Sequence, residues 1–145
     1  MTFSRHVTVD WQGSIMEGKG SAKAGTGAFT LPVTFPRRIG EPEGSTSPEE
    51  LIAAAHATCF AMVIAATLGR KGATSQATHV TCTVTADKGD AGIKIVTSKL
   101  EVVAEGLQGI SASDFEAAAK DAEGKCPVSN ALRNNLAIEV DVKVK

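Results

Sequence analysis

From Phe3 to Trp11 the chain alternates between apolar and polar positions. Phe3, Val7, Val9 and Trp11 share one parity with Arg5, and Ser4, His6, Thr8 and Asp10 take the other. A period of two sends successive side chains to opposite faces, so this stretch predicts a strand, closed by Gly13. Gly18, Gly20, Gly25 and Gly27 punctuate the next stretch, and short strands or hairpins are expected through Leu31 to Phe35. Residues 36–47 hold Pro36, Gly40, Pro42 and Gly44 and read as a long loop, a kind of segment that often carries function. Then the alternation stops. Leu51 to Leu68 is apolar except for His56, Thr58 and Thr67. Ser47 is a good helix cap, Pro48 suits the first helical position, and Glu50 completes a capping box with Ser47. Gly69, Arg70, Lys71 and Gly72 mark the end of the helix.

Period-two alternation returns in Val80, Cys82, Val84 and Ala86, each separated by threonine. Asp87 to Gly92 reads as a turn, and Ile93 to Ala104 as the partner strand. Its phase changes near Ile95 and Val96, which predicts a bulge or twist. Ser111, with Asp114 three residues on, caps a helix through about Glu123. Gly124 ends it, and Cys126-Pro127 opens a short helix through about Asn134. Ile138, Val140, Val142 and Val144 alternate with charged residues in a final strand. The expected fold is α+β: a largely antiparallel sheet packed on a long buried helix, in a single domain spanning residues 1–145.

Composition narrows the function. The chain has 145 residues, enough to bury a core, and 15 Lys+Arg against 16 Asp+Glu, a net charge of −1. Nucleic-acid binding driven by bulk charge is excluded, since phosphate neutralisation needs a basic surplus. Aromatic residues are only 4%, which argues against base stacking. The apolar run approaches the spanning minimum of about 18–20 residues. Seven of its residues are alanine, however, and a basic turn comes at once after it. It reads as a helix buried on all sides by protein, with no membrane partner. No secretory pattern opens the sequence, and a cytoplasmic location is expected.

The three cysteines do not make a paired disulfide scaffold. Cys82 lies on the apolar parity of its strand and reads as a small buried hydrophobe. Cys126 precedes a proline at a helix start, where free backbone N–H groups and the helix dipole favour a reactive thiol. Cys59 sits in mid-helix among alanines, where an inert core residue is the common case. His56, three residues earlier, either pairs with that thiol or is a hydrogen-bonded core histidine, and the second is favoured. No Cys-x-x-Cys or His-x-x-x-His pair is present, so neither metal nor cofactor is expected.

The segment Gly44-Ser-Thr-Ser-Pro-Glu-Glu-Leu-Ile-Ala-Ala-Ala-His-Ala-Thr-Cys-Phe60 resembles the signature of the OsmC/Ohr peroxidases, and Cys126-Pro127-Val128-Ser129 resembles their second block. Phe35-Pro36-Arg37-Arg38 matches the arginine that this family carries before the helix. The Ala-Ala-His-Ala wording resembles the OsmC branch more than the Ohr branch. The resemblance implies an intertwined homodimer that reduces organic hydroperoxides. Cys59 would be the peroxidatic nucleophile and Cys126 the resolving thiol. Arg38 would stabilise the thiolate, and Glu49 would hold Arg38. Arg37 reads more simply as a solvated charge. A dithiol reductant, of a lipoyl or small-protein type, would close the cycle.

One consequence of spacing accompanies the resemblance. Glu49 and Cys59 are ten residues apart on one helix, roughly 15 Å along its axis. An arginine held by Glu49 is better placed to serve Cys59 of a second, antiparallel chain, so active sites at a two-fold interface are expected. Two other readings stand beside the peroxidase. One is a non-catalytic dimeric redox-sensing or ligand-binding module that uses the same cysteines. The other is a Cys-His acyl hydrolase.

Overall fold

The computed structural model describes Met1–Lys145 and divides into two compact units, Met1–Leu51 and Ile52–Lys145. In the first unit, β1 (Val7–Gln12), β2 (Lys19–Ala24) and β3 (Thr30–Val33) form an antiparallel sheet in that order. Strand β1 begins at Val7 rather than Phe3, and both of its parities are exposed. Alternation at this position therefore does not mark a face that its own chain buries.

The stretch 36–47 is only partly loop. Phe35–Ile39 forms a short helix, α1, whose cap Thr34 accepts the Arg37 N–H at 3.3 Å. Pro36 lies in its first turn, where a preset φ and a missing N–H suit a helix start as well as a loop. Helix α2 (Pro48–Arg70) comes next. Ser47 Oγ accepts the Glu50 N–H at 3.1 Å, as the capping pattern requires. The Glu50 carboxylate, however, accepts from the Thr46 hydroxyl at 2.8 Å. At the other end Ala73 N–H reaches the Leu68 carbonyl at 2.9 Å and Gly72 N–H the Gly69 carbonyl at 3.1 Å. Gly72 takes φ +67°, a left-handed conformation that glycine adopts without strain and that lets these last carbonyls be satisfied.

In the second unit, β4 (Ala77–Gly89), β5 (Gly92–Glu105) and β6 (Ala137–Val144) form a second sheet. The expectation of one largely antiparallel sheet is corrected in two ways. There are two three-stranded sheets, and β6 pairs parallel to β5. The parallel pairing results from a crossover through α3 (Ala112–Ala122), a 3-10 turn at Glu123–Lys125, and α4 (Pro127–Leu132). The hairpin is tighter than the expected turn at 87–92, because Gly89 already pairs with Gly92. The bulge falls where the phase change predicts it. Thr85 opposes Thr97 while Ala86 opposes Ile95, which leaves Val96 as the extra residue. Ser111 caps α3 by accepting the Asp114 N–H at 3.1 Å.

Only His56, Phe60, Ile64, Thr67 and Leu68 of α2 are buried. They form one stripe, which packs with Leu100, Val102 and Ala104 of β5 and with Phe115, Ala119 and Ala122 of α3. A helix buried on all sides is thus not what the chain builds. A small sheet and one short helix cover a single stripe. Ala54, Ala55, Thr58, Met62, Ala65 and Ala66 remain exposed, with Met62 at 67%. An 18-residue window of the helix has a mean hydropathy of 2.0, sufficient by length and composition alone for a membrane span. Phe60 is fully buried at the centre of the core. Phe60→Ala is expected to cost about 3–5 kcal/mol, measured by urea unfolding, through lost burial and the cavity left behind.

Candidate thiol site

Helix α2 carries Cys59, which is half-buried, and Cys126, which is fully buried, stands at the N-cap of α4. Both are free thiols. Cys126 caps α4, and its Sγ accepts the Ser129 N–H at 3.5 Å. The neighbouring amide, that of Val128, faces the Cys59 thiol and favours its thiolate. The start of α4 thus bears on both thiols. Burial pushes the Cys59 thiol up from its ordinary value. The Val128 amide opposes that shift, while the adjoining Cys126 side chain adds to it. On balance Cys59 in its own unit is held as a thiol.

His56 does not bond to Cys59. Its Nδ1 lies 2.6 Å from Ser98 Oγ and its Nε2 2.6 Å from Ser129 Oγ, all three residues being fully buried. This is the core-histidine arrangement that the sequence favours. Burial lowers its pKa, with a small opposing contribution from Glu123, so the ring is neutral at pH 7. Cys82 lies against the same group, with Sγ 3.2 Å from Ser98 Oγ and 3.9 Å from His56 Nδ1. Burial also raises the Cys82 thiol, against the Ser98 hydrogen bond. A protonated, half-buried thiol on a strand is a weak nucleophile, in keeping with the reading of Cys82 as filler. Ser98 is one of several polar residues of β5, and only its place on the buried parity with Leu100, Val102 and Ala104 sets it apart. Ser129 is visible only as the residue three after the Cys126 cap.

In the first unit the two arginines of α1 part company. Arg37 pairs with Glu43 at 3.0 Å on the exposed surface. Arg38 grips Glu49 through Nη2 to Oε1 at 2.6 Å and Nε to Oε2 at 3.1 Å. This forked pair is mostly shielded, the side chains being 25% and 15% exposed. The hydrogen bond from Arg38 holds the Glu49 carboxyl below its usual range, against burial, and Glu49 in turn raises the guanidinium. Arg38 is thus a permanently charged, geometrically fixed cation. It borders an apolar cavity of about 260 Å³ lined by Val9, Trp11, Ile15, Phe35 and Leu51 among others.

In the second unit a groove of about 590 Å³ opens beside Cys59, walled by Met62, Val63, Ala66 and Pro127, with Arg70 and Lys125 at its rim. Among the apolar neighbours of Cys59 in sequence, Met62 faces this groove. Phe60 and Ile64 belong instead to the core stripe with His56, because they fall on the other side of the helix.

The α+β chain thus sets a half-buried helix thiol against a second thiol at a helix start, the frame of a cysteine-based redox protein. The chain belongs to the OsmC family: the family model described as OsmC-like protein matches residues 40–141. It is 37% identical to Peroxiredoxin OsmC of Escherichia coli (strain K12), over 99% of each chain. It is 36% identical to organic hydroperoxide resistance protein OhrA of Bacillus subtilis, over 69% of each. The crystal structure of an organic hydroperoxide resistance protein OsmC from Legionella pneumophila superposes with a TM-score of 0.75 at 26% identity, covering 96% of this chain and 97% of that one.

Proposed function

We propose that Cys59, Cys126, Arg38 and Glu49 form the catalytic set of this protein, assembled across a two-fold homodimer. The protein is a thiol-dependent peroxidase that reduces organic hydroperoxides, as its full-length similarity to Peroxiredoxin OsmC supports. The observation that carries the residue assignment is the juxtaposition of two free thiols, the more accessible of which is Cys59. The Cys59 thiolate attacks the terminal oxygen of the hydroperoxide. The O–O bond breaks, sulfur is oxidised to a sulfenic acid, and the alkoxide leaves and takes up a proton as the alcohol. Cys126 then displaces hydroxide from the Cys59 sulfur, forming a disulfide and water. An external dithiol reduces that disulfide by two exchange steps and is itself oxidised.

Arg38 has two tasks in this reaction. It favours the Cys59 thiolate that burial disfavours, and it stabilises negative charge on the departing oxygen. The dimer is supported by two features. The exposed face of α2, from Ala54 to Ala66, is apolar and built of small residues that allow close helix approach. Glu49 and Cys59 are separated by ten residues of one helix, which suits antiparallel helices from two chains. A second copy, rather than a bilayer, is the occupant we assign to that face, and a cytoplasmic setting fits the free thiols. Sedimentation equilibrium should show a dimer, and a monomer at all concentrations would overturn the shared site. The apolar walls near Cys59 and Arg38 favour alkyl substrates. Turnover of cumene hydroperoxide should exceed that of hydrogen peroxide, and the reverse order would count against the assignment.

A further inference from the structure

We propose that His56 is a positioning residue for the resolving thiol. It holds Ser129, and through Ser129 the turn that carries Cys126, against the same helix that carries Cys59. This inference rests on the roles proposed above for the two cysteines.

The geometry is a three-way tie. His56 lies on α2 one turn before Cys59. One ring nitrogen meets Ser98 of β5 and the other meets Ser129 of α4, both at 2.6 Å. Ser129 then makes a second bond, its backbone N–H donating to Cys126 Sγ at 3.5 Å. One residue is thus fastened to His56 by its side chain and to Cys126 by its amide. The ring, both serines and Cys126 are fully buried, and no buried side-chain polar atom is left without a partner. A neutral imidazole donates from one nitrogen and accepts at the other, while a serine hydroxyl does either, so the chain of bonds closes without charge. Movement of α4 against α2 would strand a buried polar group, which resists such movement.

This tie bears on the chemistry because disulfide formation has narrow tolerances. The two Cβ atoms must come within about 3.5–4.5 Å, with a restricted dihedral angle. In the resolving step the Cys126 sulfur attacks the Cys59 sulfur, the S–S bond forms, the S–O bond breaks, and hydroxide leaves with the Cys126 proton as water. The tie leaves the first step alone, since peroxide meets Cys59 and not Cys126. Its loss should therefore slow closure far more than it slows Cys59 oxidation.

Single-turnover mixing with cumene hydroperoxide, quenched and read by mass spectrometry, separates the two steps. Ser129→Ala should slow disulfide closure about tenfold more than it slows sulfenic acid formation, a loss typical of small misplacements. Sulfinic acid should accumulate at Cys59 at excess peroxide, and Ser129→Thr, which restores the hydroxyl, should recover closure. Thr67→Ala removes a buried hydroxyl of α2 that lies outside the tie, where it bonds to the Val63 carbonyl. It should lower thermal stability while keeping the wild-type ratio of the two rates. Should Ser129→Ala fail to fold, His56→Gln supplies the same measurement, because an amide cannot bridge two hydroxyls on opposite sides of a ring. An unchanged ratio in the folded variant, with the wild-type disulfide intact, overturns the positioning role alone. Absence of a Cys59–Cys126 disulfide in the oxidised wild type overturns the cysteine assignment, and the positioning role with it.

Discussion

Cys59→Ser is expected to reduce peroxide consumption by at least about 10³-fold, since no other group in the site supplies the nucleophile. Cys126→Ser should behave differently. With one equivalent of peroxide its Cys59 still reacts once per chain and rests at the sulfenic acid, because no second thiol is there to condense with it. Dithiol-coupled turnover is then lost while a single stoichiometric oxidation remains. A dithiol-coupled assay for turnover, with mass spectrometry for the oxidised species, reads both results. A redox sensor built on the same cysteines would show one oxidation per wild-type chain and no turnover. Cys82→Ser, by contrast, touches only the strand side of the buried network and should preserve turnover. Loss of activity in that variant would reassign the third thiol.

The second large effect is electrostatic. Arg38→Gln is expected to lower kcat/KM by about 10²–10³-fold, the range seen when one fixed donor to developing charge is removed. The pH profile should move as well, and its sign is determined. Burial already raises the Cys59 thiol. Loss of a nearby cation raises it further, so less thiolate is present at pH 7 and the rate climbs only at more alkaline pH. Glu49→Gln leaves the guanidinium charged but unclamped, and a smaller loss of about tenfold is expected from poorer orientation. Mixing the Cys59→Ser and Arg38→Gln chains tests where the arginine acts. If each site takes Cys59 from one chain and Arg38 from the other, the mixed dimer contains one complete site and activity returns. If both come from one chain, the mixture stays inactive.

Much of this was legible along the chain because the relevant forces are local. Ser47 and Ser111 announce helix starts through backbone amides three residues on, and both make those bonds. The phase slip at Ile95 and Val96 shows as a bulge because side-chain parity is a property of consecutive residues. The failures share a cause. Both faces of β1 alternate cleanly yet stay exposed, and α2 is apolar all round yet is buried along one stripe only. Periodicity reports what a face would bury if covered, but coverage is a matter of what else the chain brings to it. The parallel pairing of β6 was equally hidden, since it depends on the path of two helices between strands.

By itself the sequence determined that Cys59 lies in a helix, that Cys126 caps one, and that Arg38 and Glu49 stand close along the chain, in the pattern of the OsmC family. These features stem from backbone hydrogen bonding and from short-range spacing. Only the tertiary structure decided that the two thiols lie together at one helix start, that the Arg38–Glu49 pair is forked and mostly shielded, and that Ser98 and Ser129 are the partners of His56. Contacts over 42 and 73 residues of separation are set by how the helix stripe packs on the second sheet and on α4. No local pattern encodes that packing, because it is fixed by the summed burial of Phe60, Ile64, Leu100 and Phe115 rather than by any residue's neighbours in sequence.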